Sequence, residues 1–134
     1  MAHWLLKTEP SSYSFDDLAR DRRTRWDGVR NPQAVANLRA MREGDSVLVY
    51  HSGEKKAVGL ATVVREAYPD PENPGSGVAV DVAAAGALAA PVGLEALRAE
   101  PAFRGSPLLR QGRLSVVPLT PEQWKAVERL ANGR

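Results

Sequence analysis

The stretch from Trp26 to Ser52 places an aromatic turn, a helix and a strand in direct succession, which commits the chain to a mixed fold. Asn31 has a side chain suited to capping a helix, Pro32 suits the first helical position, and Val35, Leu38 and Met41 recur at helical spacing on one face. The helix is expected to stop near Glu43 and Gly44. From Asp45 the period changes. Ser46 to His51 is rich in branched and aromatic residues and predicts a strand, closed by the turn-like Ser52 and Gly53. Ahead of the helix, the run Trp26-Asp27-Gly28-Val29-Arg30-Asn31 joins a flat ring to an acid, a base and an amide. Gly28 there permits a turn that a residue with Cβ resists.

The rest of the chain supplies partners for this unit. His3 to Lys7 predicts a first strand that stops before Pro10. Ser14 is placed to cap a short helix through Phe15, Leu18 and Ala19, with Tyr13 as a staple against Leu18. Ala57 to Val64 predicts a strand that returns as a hairpin from Tyr50 and His51. Pro69, Pro71, Asn73, Pro74, Gly75 and Gly77 mark a loop, after which Val78 to Val82 resumes a strand. Ala83 to Ala90 fits strand or loop equally. Leu94 to Arg98 suggests helical turns, Phe103 to Arg113 irregular chain, and Leu114 to Leu119 a strand. Thr120, Pro121 and Gln123 form a helix start, with Trp124, Val127, Leu130 and Ala131 on an inward face and Asn132-Gly133 as the stop.

Composition bounds the function classes. At 134 residues the chain makes one domain, 1–134, able to bury roughly two thirds of its unfolded surface. No apolar run approaches the ~20 residues of a membrane span, so no membrane partner is expected. Met1-Ala2-His3-Trp4 leads straight into a strand pattern without a signal-peptide character, and the expected compartment is cytoplasmic. With no cysteine, disulfides and thiolate chemistry are excluded. The formal net charge is only +2, yet Arg20, Arg22, Arg23, Arg25 and Arg30 gather around Trp26, and Arg104, Arg110 and Arg113 form a second basic stretch. Guanidinium forks match phosphates and stack on rings, so such clusters suit nucleic acid as well as a plain solvated loop.

Catalytic patterns are missing. His3 and His51 are the only histidines, and neither has a partner at the spacing of a nucleophile elbow, a zinc pair or a phosphate-cradling loop. No catalytic residue, metal or cofactor is expected.

Lys7-Thr8-Glu9-Pro10, the Trp26 to Asn31 run, Tyr50-His51-Ser52, Glu66-Ala67-Tyr68-Pro69-Asp70 and Arg113-Leu114-Ser115-Val116 resemble, in this order and spacing, the EVE domain of the PUA-like superfamily. The resemblance covers nearly the whole chain. It implies an α+β fold: a PUA-like β-barrel of short, mainly antiparallel strands with several helices packed around it. It also implies a non-enzymatic reader that takes a flipped or single-stranded modified base of DNA or RNA into an aromatic-walled pocket, akin to YTH domains. On that reading Trp26 stacks on the base, Lys7, Thr8, Glu9 and Asn31 line its polar edge, and Tyr50, His51 and Ser52 border the pocket. Arg22, Arg23, Arg25, Arg30 and Arg113 meet phosphates. Pro32, Val35 and Ala36 depart from the residues common in the family, which narrows the expected contacts of that helix. From the residues alone Trp26 reads instead as a core tryptophan at a loop and helix junction, and it is the resemblance that reverses this. The alternative function is a small-molecule or nucleotide-binding enzyme using Glu9 or Asp27 as a carboxylate base. Oligomeric state is left open.

Overall fold

The computed structural model describes residues 1–133, built from six strands and five α-helices. Strand β1 (His3–Thr8) carries Trp4, Leu5 and Leu6, all buried. Apolar side chains on both faces mark a central strand, and β1 lies between β3 (Ser46–His51) in parallel and β6 (Val116–Leu119) in antiparallel pairing. The hairpin expected after β3 is present: β4 (Lys56–Pro69) pairs antiparallel with β3, and β5 (Val78–Gly93) pairs antiparallel with β4. The sheet order is β2-β5-β4-β3-β1-β6, where β2 is the four-residue strand Arg23–Trp26.

Two expectations need correction. The strands are not all short, because β4 has 14 residues and β5 has 16. Ala83 to Ala90 belongs to β5, its small side chains paired with Thr62, Ala61, Leu60 and Gly59. Nor do the ladders close a barrel: β2 and β6 are both edges, and no pairing joins them among the described residues. The sheet instead bends. Several register shifts interrupt the β4–β5 ladder, and such irregularities increase local twist. Pro118 sits exposed on edge strand β6, where a missing N–H costs no ladder bond.

The helices follow their caps. In α1 (Phe15–Asp21) Ser14 and Asp17 form a reciprocal capping box, and Asp16 and Asp17 sit against the positive end of the helix. In α2 (Pro32–Ala40) the Asn31 side chain accepts the Ala34 N–H at 3.0 Å. That helix ends three residues before Glu43, as Met41 leaves helical geometry and turns fully into the core. Short helix α3 (Leu94–Arg98) falls where helical turns are expected, and α4 (Pro107–Arg110) replaces part of the irregular chain expected from Phe103 to Arg113. In α5 (Pro121–Ala131) Thr120 and Gln123 form a second capping box. Trp124 is only partly buried, its ring stacked on His3 at 4.6 Å between centroids.

A single buried carboxylate ties the amino-terminal edge together. Asp45 accepts the Trp4 indole N–H at 3.0 Å, the Arg42 N–H at 2.9 Å and the Ala2 N–H at 3.0 Å. Burial alone would raise its pKa, but these donors and the nearby amino terminus outweigh burial and hold it below the ordinary aspartate value.

Among the described residues, no helix is long and apolar enough to cross a membrane.

Candidate functional site

A cleft of about 580 Å³ opens between the end of β1, the segment before α1, β2 and the loop that follows it. Thr24 and Trp26 alternate with Arg23 and Arg25 along β2, and Thr24, Arg25 and Trp26 all contribute to the lining of the cleft. Trp26 is 9% exposed, at once a core residue and a cleft wall. Tyr13 meets it edge-on, with centroids 6.4 Å apart and planes at 84°, a favoured aromatic geometry. Thr8 ties the Tyr13 segment to β1 by donating its hydroxyl to the Tyr13 carbonyl at 2.6 Å, and the Tyr13 hydroxyl donates to Asp21 at 2.8 Å. The Tyr13 phenol pKa is raised, first by burial.

The loop from Asp27 to Arg30 forms the outer wall. Gly28 has φ of +74°, a backbone state that only glycine enters without strain. Its N–H points to buried Asp70, which also accepts the Glu72 N–H at 2.9 Å. Val29 is buried below. The floor includes Lys7, Glu9 and Ser115. Lys7 donates to the Gly112 carbonyl at 2.9 Å and lies 5.9 Å from the Tyr50 ring centroid; burial lowers its pKa. The cleft therefore offers an aromatic wall, strand-end polar groups and cations.

Of the expected pocket residues, Lys7, Thr8, Glu9 and Trp26 line this cleft, whereas Asn31, Tyr50, His51 and Ser52 do not. Asn31 is occupied as the cap of α2. Tyr50 is buried in the core as the β3 partner of Lys7. His51 is buried, accepting the Phe15 N–H at Nε2 (3.0 Å) with Nδ1 2.7 Å from Glu54, so these partners assign the proton to Nδ1. That bond is the largest influence holding the Glu54 carboxyl below its usual range. Ser52 bonds back to the Thr8 carbonyl through its N–H at 2.9 Å. Tyr13, Thr24, Val29 and Ser115 line the cleft without having been expected to. A tyrosine directly before a helix cap carries no sign of a role beyond the staple, and Thr24 is recognisable only once β2 is known.

The arginines divide. Arg23 lies 3.8 Å from Asp81, and Arg25 lies 2.8 Å from Asp27 and 3.7 Å from Glu72. Arg22, Arg30 and Arg113 are exposed and form no ion pair among the described residues. Arg22 also holds a positive φ of 72° while its N–H closes α1 on the Leu18 carbonyl at 2.7 Å. Asp27, one candidate for a carboxylate base, is engaged by Arg25. Among the described residues no group of three or more His, Asp or Glu side chains is placed to hold a metal ion.

A family model described as the EVE domain matches residues 2–130. The chain belongs to the EVE domain family. This EVE domain is 45% identical over 82 residues to thymocyte nuclear protein 1 of Homo sapiens, covering 52% of the chain and 36% of that protein. It thus spans about a third of the length of that curated relative. A Rhodopseudomonas palustris protein solved by NMR superposes with TM-score 0.92 at 43% identity, over 98% of this chain and 94% of the other. The human THYN1 protein, crystallised in complex with DNA containing 5-methylcytosine, superposes with TM-score 0.84 at 32% identity over 98% of both chains. The YTH domain of the Zygosaccharomyces rouxii MRB1 protein shares the fold, with TM-score 0.61 at 15% identity over 97% of this chain and 86% of the other.

Proposed function

We propose that this EVE domain is a non-enzymatic reader that seats one modified base, flipped from a duplex or already single-stranded, in the cleft walled by Trp26. The observation that carries the reading is the meeting of Trp26 and Tyr13 with the strand-end groups of Lys7, Thr8 and Glu9 in one cleft. A ring wall with a polar edge and cationic surroundings is the set of parts that recognition of an unstacked base uses. A human relative at 32% identity was crystallised with 5-methylcytosine DNA, which favours DNA with a modified pyrimidine as the first ligand to try. RNA carrying modified bases stands beside it as the second, and the cytoplasm is the compartment proposed for the chain.

The test is a binding screen of single-stranded and duplex oligonucleotides that differ only in one base: cytosine, 5-methylcytosine and other modified pyrimidines and purines, in DNA and RNA. Preference for at least one modified base over its parent is expected, with every probe recovered chemically unchanged. Equal affinity for all probes would overturn the reader, and turnover abolished by Glu9→Gln or Asp27→Asn would replace it with the enzyme.

A further inference from the structure

The cleft at Trp26 continues into two further depressions. Val29 and Arg30, which close its outer side, also form the near end of a groove of about 430 Å³ between α2 and the loop that carries Asn73 and Ser76. Arg39 and Ser76 at the far side of that groove also line a smaller notch of about 160 Å³ that reaches Tyr68. The three depressions thus share walls in sequence, with an arginine at each passage. No carboxylate lines the groove. Arg30 and Arg39 are exposed and form no ion pair among the described residues, unlike Arg23 and Arg25 of β2. Pro32, Val35 and Ala36, which fall between Arg30 and Arg39 in sequence, give the same groove an apolar floor. Its volume falls within the roughly 300 to 1,000 Å³ of sites that take small organic ligands.

We infer that this groove is the track for the strand on one side of the held base, with Arg30 and Arg39 on successive phosphates and the Pro32–Val35–Ala36 floor under a neighbouring nucleotide. Unpaired arginines match phosphates, and apolar side chains in the same groove accept a sugar or base face without sequence preference. The inference rests on the reading of the Trp26 cleft as the base site and adds a polarity: nucleotides on one side of the modified base contribute to affinity, and those on the other side do not.

The experiment uses fluorescence anisotropy with single-stranded oligonucleotides that carry the preferred base and are extended by one to four nucleotides on the 5′ side alone or the 3′ side alone. Affinity should rise with the first two nucleotides on one side only. Arg39→Gln should remove most of that rise, about two- to fivefold, and lower the slope of log affinity against log salt by about 0.7. Arg39→Lys should keep the slope, and circular dichroism should show all variants folded. Affinity that ignores length, or equal slopes for Arg39→Gln and the parent, overturns the track while modified-base preference keeps the reader. One-sided length dependence that Arg39→Gln removes, without any preference for the modified base, keeps the track and overturns the reader. Absence of binding to every probe overturns both.

Discussion

Gly28 donates its backbone N–H to the carboxylate of Asp70 at 3.3 Å, across 42 positions of sequence. The wall of the cleft thus hangs from the loop after β4. Asp70→Ala leaves the Gly28 and Glu72 N–H groups without their acceptor, at a cost of about 0.5 to 1.5 kcal/mol, because both lie in exposed residues where water can replace the carboxylate. Calorimetry should register that loss, and the affinity for a base-containing ligand should fall further than the change in folded fraction accounts for. Unchanged affinity in folded Asp70→Ala protein would show that the loop needs no such support.

Trp26 is both core and wall, so its removal has two consequences. Trp26→Ala should destabilise the domain by about 3 to 5 kcal/mol, as expected for a truncated core aromatic. Its effect on binding is therefore best read beside Trp26→Phe, which keeps a ring and most of the volume. At a temperature where both variants are folded, Trp26→Ala should lose about 1 to 3 kcal/mol of binding, and Trp26→Phe less. Equal binding by the alanine variant and the parent would take the indole out of the site.

Asp45 should make stability depend on pH. Its pKa is lower in the folded chain than in the unfolded one, so its contribution is complete above the ordinary aspartate value of about 4 and is lost as pH falls through the folded value. Asp45→Asn should cost about 1.5 to 3 kcal/mol near neutrality, the worth of a hydrogen bond to a charged group. The gap in Tm between parent and variant should narrow steadily as the solution is acidified below pH 4. A gap that stays constant would mean that the carboxylate charge is not what the three N–H groups hold.

Gly59 lies under the Phe15 ring. A Cβ there would come within 2.4 to 2.5 Å of three ring carbons, and Phe15 is itself buried. Gly59→Ala should therefore force the ring out of place and cost about 1 to 3 kcal/mol, seen as a lower Tm. Gly93→Ala, with open space around the new methyl, provides the contrast and should change Tm much less.

Much of this architecture is legible in the sequence, and the exceptions have physical causes. The caps at Ser14, Asn31 and Thr120 act over three residues, so local chemistry announces them, and all three helices begin where their caps place them. Strand β2 escapes because its run Arg-Thr-Arg-Trp is only four residues long and carries a single apolar side chain; pairing with β5 holds it. The Ala83 to Ala90 segment becomes strand for the same reason, by long-range pairing with β4. At the cleft, Lys7, Thr8, Glu9 and Trp26 lie together as the resemblance to EVE domains implied, a juxtaposition that their spacing along the chain does not announce. His51 and Tyr50 are equally suitable by residue type, and only the folded chain shows both buried, with the His51 ring held by Phe15 and Glu54.

Thr8 and Trp26 face one cleft although β3, β4 and β5 stand between their strands in the sheet. The cleft is therefore a seam across which the backbone makes no rung, and a ligand seated there would act as a rivet between two distant parts of one curled sheet. Mechanical coupling of this kind has an exchange signature. Occupancy should slow deuterium uptake at the edge strand from Arg23 to Trp26 and at the end of β1, while the middle of β4, already hydrogen-bonded on both sides, stays as it was. Slowing spread evenly over the sheet would mean that the ligand stiffens the domain without bridging the seam.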